Sequence, residues 1–417
     1  MDYIADLHIH SKYAGACSEQ LVLENLDRAA KTKGIRIMGT GDFTHPLWFK
    51  EIREKLVEAG PGLYSVKGSA TGTKFMLTSE VCAIFGGSET EYAKKVHNLI
   101  FAPGIDDAAQ ANEALAKKGS LSSDGRPILQ MSNAELVETL YGINPDIMVV
   151  PAHSWTPWFG ALGTMGFNSV EEAYGDQAKR IHAMETGLSA DPPMFWRVSS
   201  LDRYVPISGG DAHSLAKLGR EATVFGFDGE PAYKELTAQI REKRFRMNIE
   251  FYPEEGKYHF DGHRNCDISM SPEEAKKFGN ICPRCRRKLT VGVLHRAEDL
   301  ADREEGYRPQ GAIPYVHAIP LLEIISYVTK KGTGTAYVNA LYQKLVGAFG
   351  TEFEVLLNCD TSKISEIDRG LSKAIENVRA GHVKVTPGYD GVFGVIDILN
   401  RMHEGKKQGK QKQMSDF

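Results

Sequence analysis

For roughly the first 230 residues, short apolar runs rich in β-branched residues alternate with helical patterns, and no other feature constrains the fold as strongly. The candidate strands are Tyr3 to Leu7, Ile35 to Thr40, Phe75 to Val81, Val96 to Phe101, Ile147 to Ala152, Ile181 to Glu185 and Val205 to Ser208. Between the first two, Ser18 is the expected helix cap, Leu21, Leu26, Ala29 and Ala30 the buried stripe, and Gly34 the stop. Strands joined through helices pair as parallel neighbours, so seven such units predict a parallel, barrel-like α/β domain over residues 1–250.

In barrels of this kind reactive groups gather at the C-terminal ends of the strands. Here those ends carry His8 and His10, Asp42, Glu80, His97, His153, Glu185 with His182 nearby, and then Asp211 and His213. The pair His8 and His10 stands at i and i+2, which on a strand turns both rings to one face, with Asp6 on the same side. A lone histidine is usually a core residue. A whole rim of ionisable groups is different, because each would cost several kcal/mol in desolvation unless cations or water paired it. Two or three divalent ions are therefore expected. The mixed imidazole and carboxylate donors suit Zn, Mn, Mg or Fe. Every group at this rim is a candidate ligand at this point.

Between the fourth and fifth strands lies an insertion, roughly Gly104 to Pro145, with a helical piece from Asp107 to Lys117 and a polar loop from Ser120 to Arg126. Long loops on a barrel rim either decorate the scaffold or face the substrate. Trp155, Trp158 and Phe159 follow His153 on the next loop, where Trp155 and Trp158 are candidates for stacking on bases.

Past Met247 the pattern changes. His263-x2-Cys266 followed by Cys282-Pro-Arg-Cys285 has the spacing of one structural Zn site, in a module placed at residues 251–300. Six cysteines in 417 residues, half of them standing alone, form no disulfide framework. Arg264, Arg284, Arg286, Arg287, Lys288 and Arg296 surround the zinc pattern, so phosphate contact is expected, with Arg284, Arg286 and Arg287 as its candidates. Residues 301–400 read as a helical DNA-binding domain, in which Lys330 and Lys331 lie on a Gly-rich turn entering a helix. Residues 401–417 read as a flexible basic tail.

A net charge of −4 argues against a uniformly basic nucleic-acid binder and leaves local patches open. No apolar run reaches about 18 residues, and the N-terminus enters a strand without a basic or apolar leader, so the expectation is a soluble, cytoplasmic protein.

Asp6-Leu-His8-Ile-His10, Gly41-Asp42-Phe43, Ser79-Glu80-Val81, Val96-His97, Pro151-Ala152-His153 and Gly210-Asp211-Ala212-His213 resemble, in order, the motifs of the PHP (polymerase and histidinol phosphatase) superfamily. The resemblance implies a distorted seven-stranded (βα)7 barrel with up to three metals that hydrolyses phosphate esters through activated water. It places His8, His10, Glu80, His97, His153, Asp211 and His213 as metal ligands, with Asp42 a further candidate, and implies that catalysis rests on His8, His10, Glu80 and Asp211. Glu80 would bridge two of those metals. Two departures concern the third metal: Gly41-Asp42-Phe43 replaces a Thr-Asp-His pattern, and Ala16-Cys17-Ser18 stands where a third histidine often follows. Asp42, His45 and Cys17 are the available substitutes.

The barrel, zinc module and helical end, in that order, resemble a family of DNA-repair nucleases within this superfamily. Gly39 to Pro46, Leu188 to Pro192, Asp211 to Ser214, Gly219 to Ala222 and Thr386 to Gly391 carry that resemblance. It implies cleavage of single- or double-stranded DNA on the 5′ side of a deaminated base (uracil, hypoxanthine, xanthine) or an abasic site. The tail residues Gln411, Met414 and Phe417 are similar to a box that binds the replication sliding clamp. The alternative is a small-molecule phosphatase of the histidinol-phosphatase type, which needs neither the basic zinc module nor the helical end.

Overall fold

The computed structural model describes residues 1–87 and 93–400. Its main sheet is built from β1 (Asp2–Asp6), β2 (Ile35–Gly39), β3 (Leu56–Gly60), β4 (Leu63–Val66), β5 (Lys74–Phe85), β6 (Lys94–Ala102), β7 (Ile128–Gln130) and β8 (Met148–Pro151). Two short strands, β9 (Ala183–Glu185) and β10 (Val205–Ile207), pair separately, and β11 (Ala222–Gly226) and β12 (Met247–Glu250) return to the main sheet beside β1. The helix after β1 runs over Leu23–Lys33 and ends as expected at Gly34, in the left-handed conformation at φ 90°. It does not begin at Ser18. Val22 precedes it without a side-chain cap, and Leu23 and Leu26 bury its first turn instead.

The expectation of an all-parallel barrel is corrected. β1 with β2, β2 with β5, and β9 with β10 are parallel. β5 and β6, however, are antiparallel over nine paired residues, from Leu77 opposite Ala102 to Phe85 opposite Lys94. β6 then pairs antiparallel with β8, and β1 with β11. Long antiparallel partners close to each other in sequence need no crossover helix, so the sheet is mixed.

The two-residue period of the strands sorts their side chains onto two faces. Tyr3, Ala5, Leu7, Ile37, Met76, Leu99, Phe101, Val150, Ala183, Val205 and Ile207 join one apolar cluster. The intervening Met38, Phe75, Leu77, Ile100, Val149 and Met184 join another, with the helices. Glu80 shares its parity with Met76, and His97 with Leu99 and Phe101. The ionisable groups thus continue the first face beyond its apolar residues.

A hairpin of β13 (Asp261–His263) and β14 (Ile268–Met270) opens the cysteine-rich segment. Its own cluster is only Ile268, Ala275, Cys282 and Leu289. So small a core needs a staple. β15 (Tyr315–His317) pairs in parallel with β12, so the chain returns to the main sheet before it enters the helices Leu321–Thr329, Ala336–Phe349, Thr361–Ile367 and Arg369–Arg379. These pack around Leu321, Ile324, Val338, Leu345, Leu371 and Ile375. The buried pair Lys33 and Glu352, 2.8 Å apart, fastens them to the first helix. A last hairpin joins β16 (Lys384–Thr386) to β17 (Val395–Asp397). Among the described residues no helix is long and apolar enough to cross a membrane.

Candidate metal centre

β1 ends at Asp6, so His8 and His10 lie just past it rather than on it. The segment stays extended because Ile9 bridges Ala212, with the His10 amide donating to the Ala212 carbonyl at 3.1 Å. Both rings therefore reach one side. Nε2 of His10 stands 3.2 Å from Glu80 Oε2 and 3.2 Å from Asp211 Oδ1; Nε2 of His8 stands 3.5 and 3.6 Å from the same two atoms. The other oxygen of Glu80 lies 2.7 Å from His97 Nδ1 and 3.0 Å from His153 Nε2. Ligand-type atoms of His8, His10, Glu80 and Asp211 form one group within 4.8 Å, and those of Glu80, His97 and His153 form another. Glu80 belongs to both, one oxygen to each.

The antiparallel turn from β5 to β6 makes this possible. Glu80 pairs with Leu99 and Cys82 with His97, so Glu80 and His97 are diagonal neighbours on one face. His97 stands near the start of β6, and it reaches the rim because β6 runs against β5. A rule based on strand ends finds this histidine for the wrong reason.

Around these groups stands a second layer that fixes the rings. Glu185 holds His8 Nδ1, and Asp42 holds His10 Nδ1 at 2.9 Å while its other oxygen accepts the Ser11 amide at 2.6 Å. Asp42 was expected as a metal ligand. The structure places it, fully buried, on the nitrogen of His10 that faces away from the cluster, so it orients the His10 ring. Asp6 accepts the amides of Gly210 and Gly219, which pins the Asp211 loop, and burial pushes its pKa up to about 6 against those hydrogen bonds. Burial opposes charge on His8 and His10, yet the carboxylates beside them raise both well above the ordinary imidazole range. Burial also disfavours an ionised Glu80, but His97 and His8 hold it well below the usual carboxylate range.

The donor set fits metal ions. His8 Nε2 is buried and makes no hydrogen bond, although it points toward two carboxylates. Leaving such a group unmet costs about 1–3 kcal/mol, which a shared cation would remove. His213 Nδ1 donates to the Asp211 carbonyl at 2.9 Å, and its ring centre is 4.8 Å from that of His10. It joins neither group. His45 stacks on Tyr13 at 4.4 Å and Cys17 is partly exposed, and neither joins the two ligand groups that share Glu80.

Two contributors escaped the sequence reading. Arg126, from the polar loop of the insertion, places Nη1 3.2 Å from Glu80 Oε2, so that loop faces the site. Gly125 packs so closely that a Cβ there would meet Asp42 at 2.5 Å. Glu185 was recognised as a strand-end carboxylate but not as the partner of His8. The only signal for Arg126 was its place in a long insertion.

Trp155 is corrected as a base-stacking candidate. It is 1% exposed and meets Phe195 edge-on at 5.5 Å, which makes it core. Trp158 is 40% exposed, and Phe159 stacks on His97 at 4.6 Å.

His263, Cys266, Cys282 and Cys285 bring one ligand atom each within 4.8 Å of one another. Two other histidines of this segment are engaged elsewhere: His295 is held by Asp261 at 2.5 Å, and His259 donates to the Ser189 carbonyl at 3.2 Å. Arg284 donates to the Cys266 carbonyl at 3.1 Å, whereas Arg286 and Arg287 are exposed. Arg296 bonds the Leu162 and Phe167 carbonyls and so ties this module to the aromatic loop. Lys330 ends its helix in the left-handed conformation, and Lys331 lies 5.3 Å over the Tyr337 ring. Gln411, Met414 and Phe417 lie outside the described residues.

A mixed α/β wall with a carboxylate shared between two imidazole groups at its rim has the donor set of a metal-dependent hydrolase. Residues 320–382 match the MJ0043 C-terminal domain family. The chain is similar to the crystal structure of a lesion-specific endonuclease, PfuEndoQ, from Pyrococcus furiosus, at 30% identity and a TM-score of 0.85 over 98% of both chains. A structure of Endonuclease Q with a 27-mer duplex substrate carrying an abasic lesion at the active site matches at 30% identity and a TM-score of 0.86, over 98% of this chain and 99% of that one. An uncharacterized protein of Methanocaldococcus jannaschii, MJ0043, is 32% identical over 250 residues, which are 58% of this chain and 31% of that longer protein. The chain belongs to the endonuclease Q family.

Proposed function

We propose that this chain is a DNA repair endonuclease that hydrolyses the phosphodiester on the 5′ side of a deaminated base (uracil, hypoxanthine, xanthine) or an abasic site. The observation that carries this reading is the division of Glu80 between two ligand groups, in a chain that aligns with lesion endonucleases from end to end. Residues 1–250 are read as a PHP-type barrel of seven strands, 251–300 as the zinc module, 301–400 as the helical DNA-binding domain and 401–417 as the basic tail.

His8, His10, Asp211 and Glu80 Oε2 would hold one ion, and Glu80 Oε1, His97 and His153 a second, with His213 the remaining nearby donor for a third. Zn, Mn, Mg or Fe in these places supplies an acidic water and neutralises charge on the phosphate. The chain does the rest. Glu185 and Asp42 keep the Nδ1 protons of His8 and His10 occupied, so their Nε2 lone pairs face the cluster. Arg126 stands where it can pass from Glu80 to a phosphate oxygen as substrate enters. Structural Zn on His263, Cys266, Cys282 and Cys285 would present Arg286 and Arg287 to the phosphate backbone, and Trp158, Lys330 and Lys331 would add contacts. Through Gln411, Met414 and Phe417 the tail would bind the replication sliding clamp.

The test uses duplex oligonucleotides bearing one uracil, one hypoxanthine, one abasic site or no lesion, with Mn or Mg added. A single cut beside each lesion, and none in the undamaged strand, is expected. Cleavage of all alike, or of none, overturns the proposal.

A further inference from the structure

The turn between β16 and β17 carries an apolar tip that the fold leaves in solvent. Val392 is 39% exposed and Phe393 56%. On a loose loop this would mean little, but here the loop is braced along its length. The Gly388 amide donates to the Glu254 carbonyl at 2.7 Å, the Gly391 amide to that of Lys257 at 2.9 Å, and the Gly394 amide to that of Glu255 at 3.0 Å. The Tyr389 hydroxyl donates to Asp267 at 2.9 Å, and Asp390 accepts from the Arg264 amide at 2.7 Å and from the Thr290 hydroxyl at 2.6 Å. Left-handed φ angles at Asp390 (43°) and Gly391 (87°) turn the chain sharply before the tip. The cysteine-rich module thus holds two large apolar side chains out stiffly.

That tip connects to the metal centre through a strip of rings. Phe159 stacks on His97, and its neighbour Trp158 meets Tyr258 edge-on at 5.1 Å. A Cβ on Gly391 would stand 3.8 Å from the Tyr258 hydroxyl. The Lys257 ammonium then lies 4.6 Å over the Phe393 ring. Arg264 flanks the same turn, its guanidinium 3.2 Å from that Cβ position. An aromatic tip with cations beside it matches a gap in a base stack, which is flat and apolar inside and anionic at its edges.

We propose that Phe393, backed by Val392, is the wedge that enters the base stack when a damaged nucleotide is turned out of a duplex toward the metal centre. This rests on the DNA-endonuclease reading above. A lesion inside a duplex cannot bring its phosphodiester and base into a recessed site without leaving the stack, and the vacated space must be filled for the extruded state to persist. Phe393 is a positioning residue. It touches neither metal ligands nor the scissile bond, so its loss should spare the chemistry.

The test compares wild type, Phe393→Ala and Phe393→Trp on one lesion in an intact duplex and in a single strand, with 2-aminopurine beside the lesion to report unstacking. Phe393→Ala should cut the duplex about 10- to 100-fold more slowly, the size of one lost aromatic–base stack. It should also lose the fluorescence rise. Single-strand cleavage should stay within about twofold, and Phe393→Trp should restore both duplex signals. An equal loss on both substrates, or an unchanged duplex rate and fluorescence rise, overturns the wedge. If wild type cuts only the duplex, the fluorescence rise decides. Wild type cutting neither substrate overturns the endonuclease reading itself, and the wedge with it.

Discussion

Both oxygens of Glu185 meet Nδ1 of His8, at 2.8 and 2.9 Å. One of them also accepts the His153 amide at 2.8 Å, so a single buried carboxylate sets a ring in one ligand group and the backbone of a residue in the other. Glu185→Gln keeps the size and removes the charge. It should weaken metal binding about 10- to 100-fold and lower kcat while the fold persists. Metal titration alongside circular dichroism checks this, and undiminished affinity would detach Glu185 from the site.

Asp211→Ala and His8→Ala should abolish turnover without unfolding the chain. Each removes an Nε2 or carboxylate donor at the top of the apolar face, leaving the cluster beneath intact. Glu80→Ala should do more, because it takes a donor from both groups. Bound metal, counted by elemental analysis, should fall further in Glu80→Ala than in either other variant. Near-full activity with unchanged metal in any of the three would refute the assignment.

Cys282→Ser tests the staple. The small cluster around Ile268 and Leu289 cannot order this segment alone, so loss of the thiolate should release one zinc per chain. It should also weaken DNA binding and flatten its dependence on salt, since Arg286 and Arg287 would lose their frame. Zinc release measured with a chromogenic chelator, together with binding at two salt concentrations, reads both effects.

Glu250, which hydrogen-bonds Thr186 beside Glu185, provides a pH prediction. Burial pushes its pKa up to about 8, with the Ser208 and Thr186 hydrogen bonds opposing and the charge of Asp191 adding to the rise. A folded pKa above the unfolded one means that the native state holds the proton more tightly. This stabilisation is complete below the ordinary Glu value near 4.5 and is lost as pH rises toward 8. Glu250→Gln should remove that slope, at most about 1.4 kcal/mol per pH unit, and be more stable than wild type near pH 8. Denaturant melts at pH 5, 6, 7 and 8, roughly evenly spaced across that window, measure it; equal slopes in the two proteins would count against a protonated Glu250.

What could be read from residue order was chemical identity. Histidine and carboxylate at the ends of apolar runs named His8, His10, Glu80, His97, His153 and Asp211, because desolvation makes such groups rare unless they work together. The spacing of His263, Cys266, Cys282 and Cys285 likewise contained a complete ligand set. The period of two located β1, β2, β6 and β8 within a few residues. The strands β3, β4, β7, β11, β12 and β15 were missed.

Tertiary structure decided the rest, because roles depend on which atom faces which. Strand direction is a long-range choice, and the antiparallel β5 and β6 are what place His97 diagonally beside Glu80. Asp42 and Glu185 have the residue type of ligands, yet both meet the Nδ1 side of a ring whose Nε2 faces inward. Trp155 and Trp158 stand three positions apart with the same chemistry, and only packing against Phe195 and Tyr258 makes one core and leaves the other in solvent. Arg126 reaches Glu80 across 46 residues of chain, a contact that no local pattern encodes. Sequence by itself determined the chemical inventory, since donor identity is a property of single residues. The fold decided which donors come together and which only steady them, since that depends on distances of a few ångströms between segments far apart in the chain.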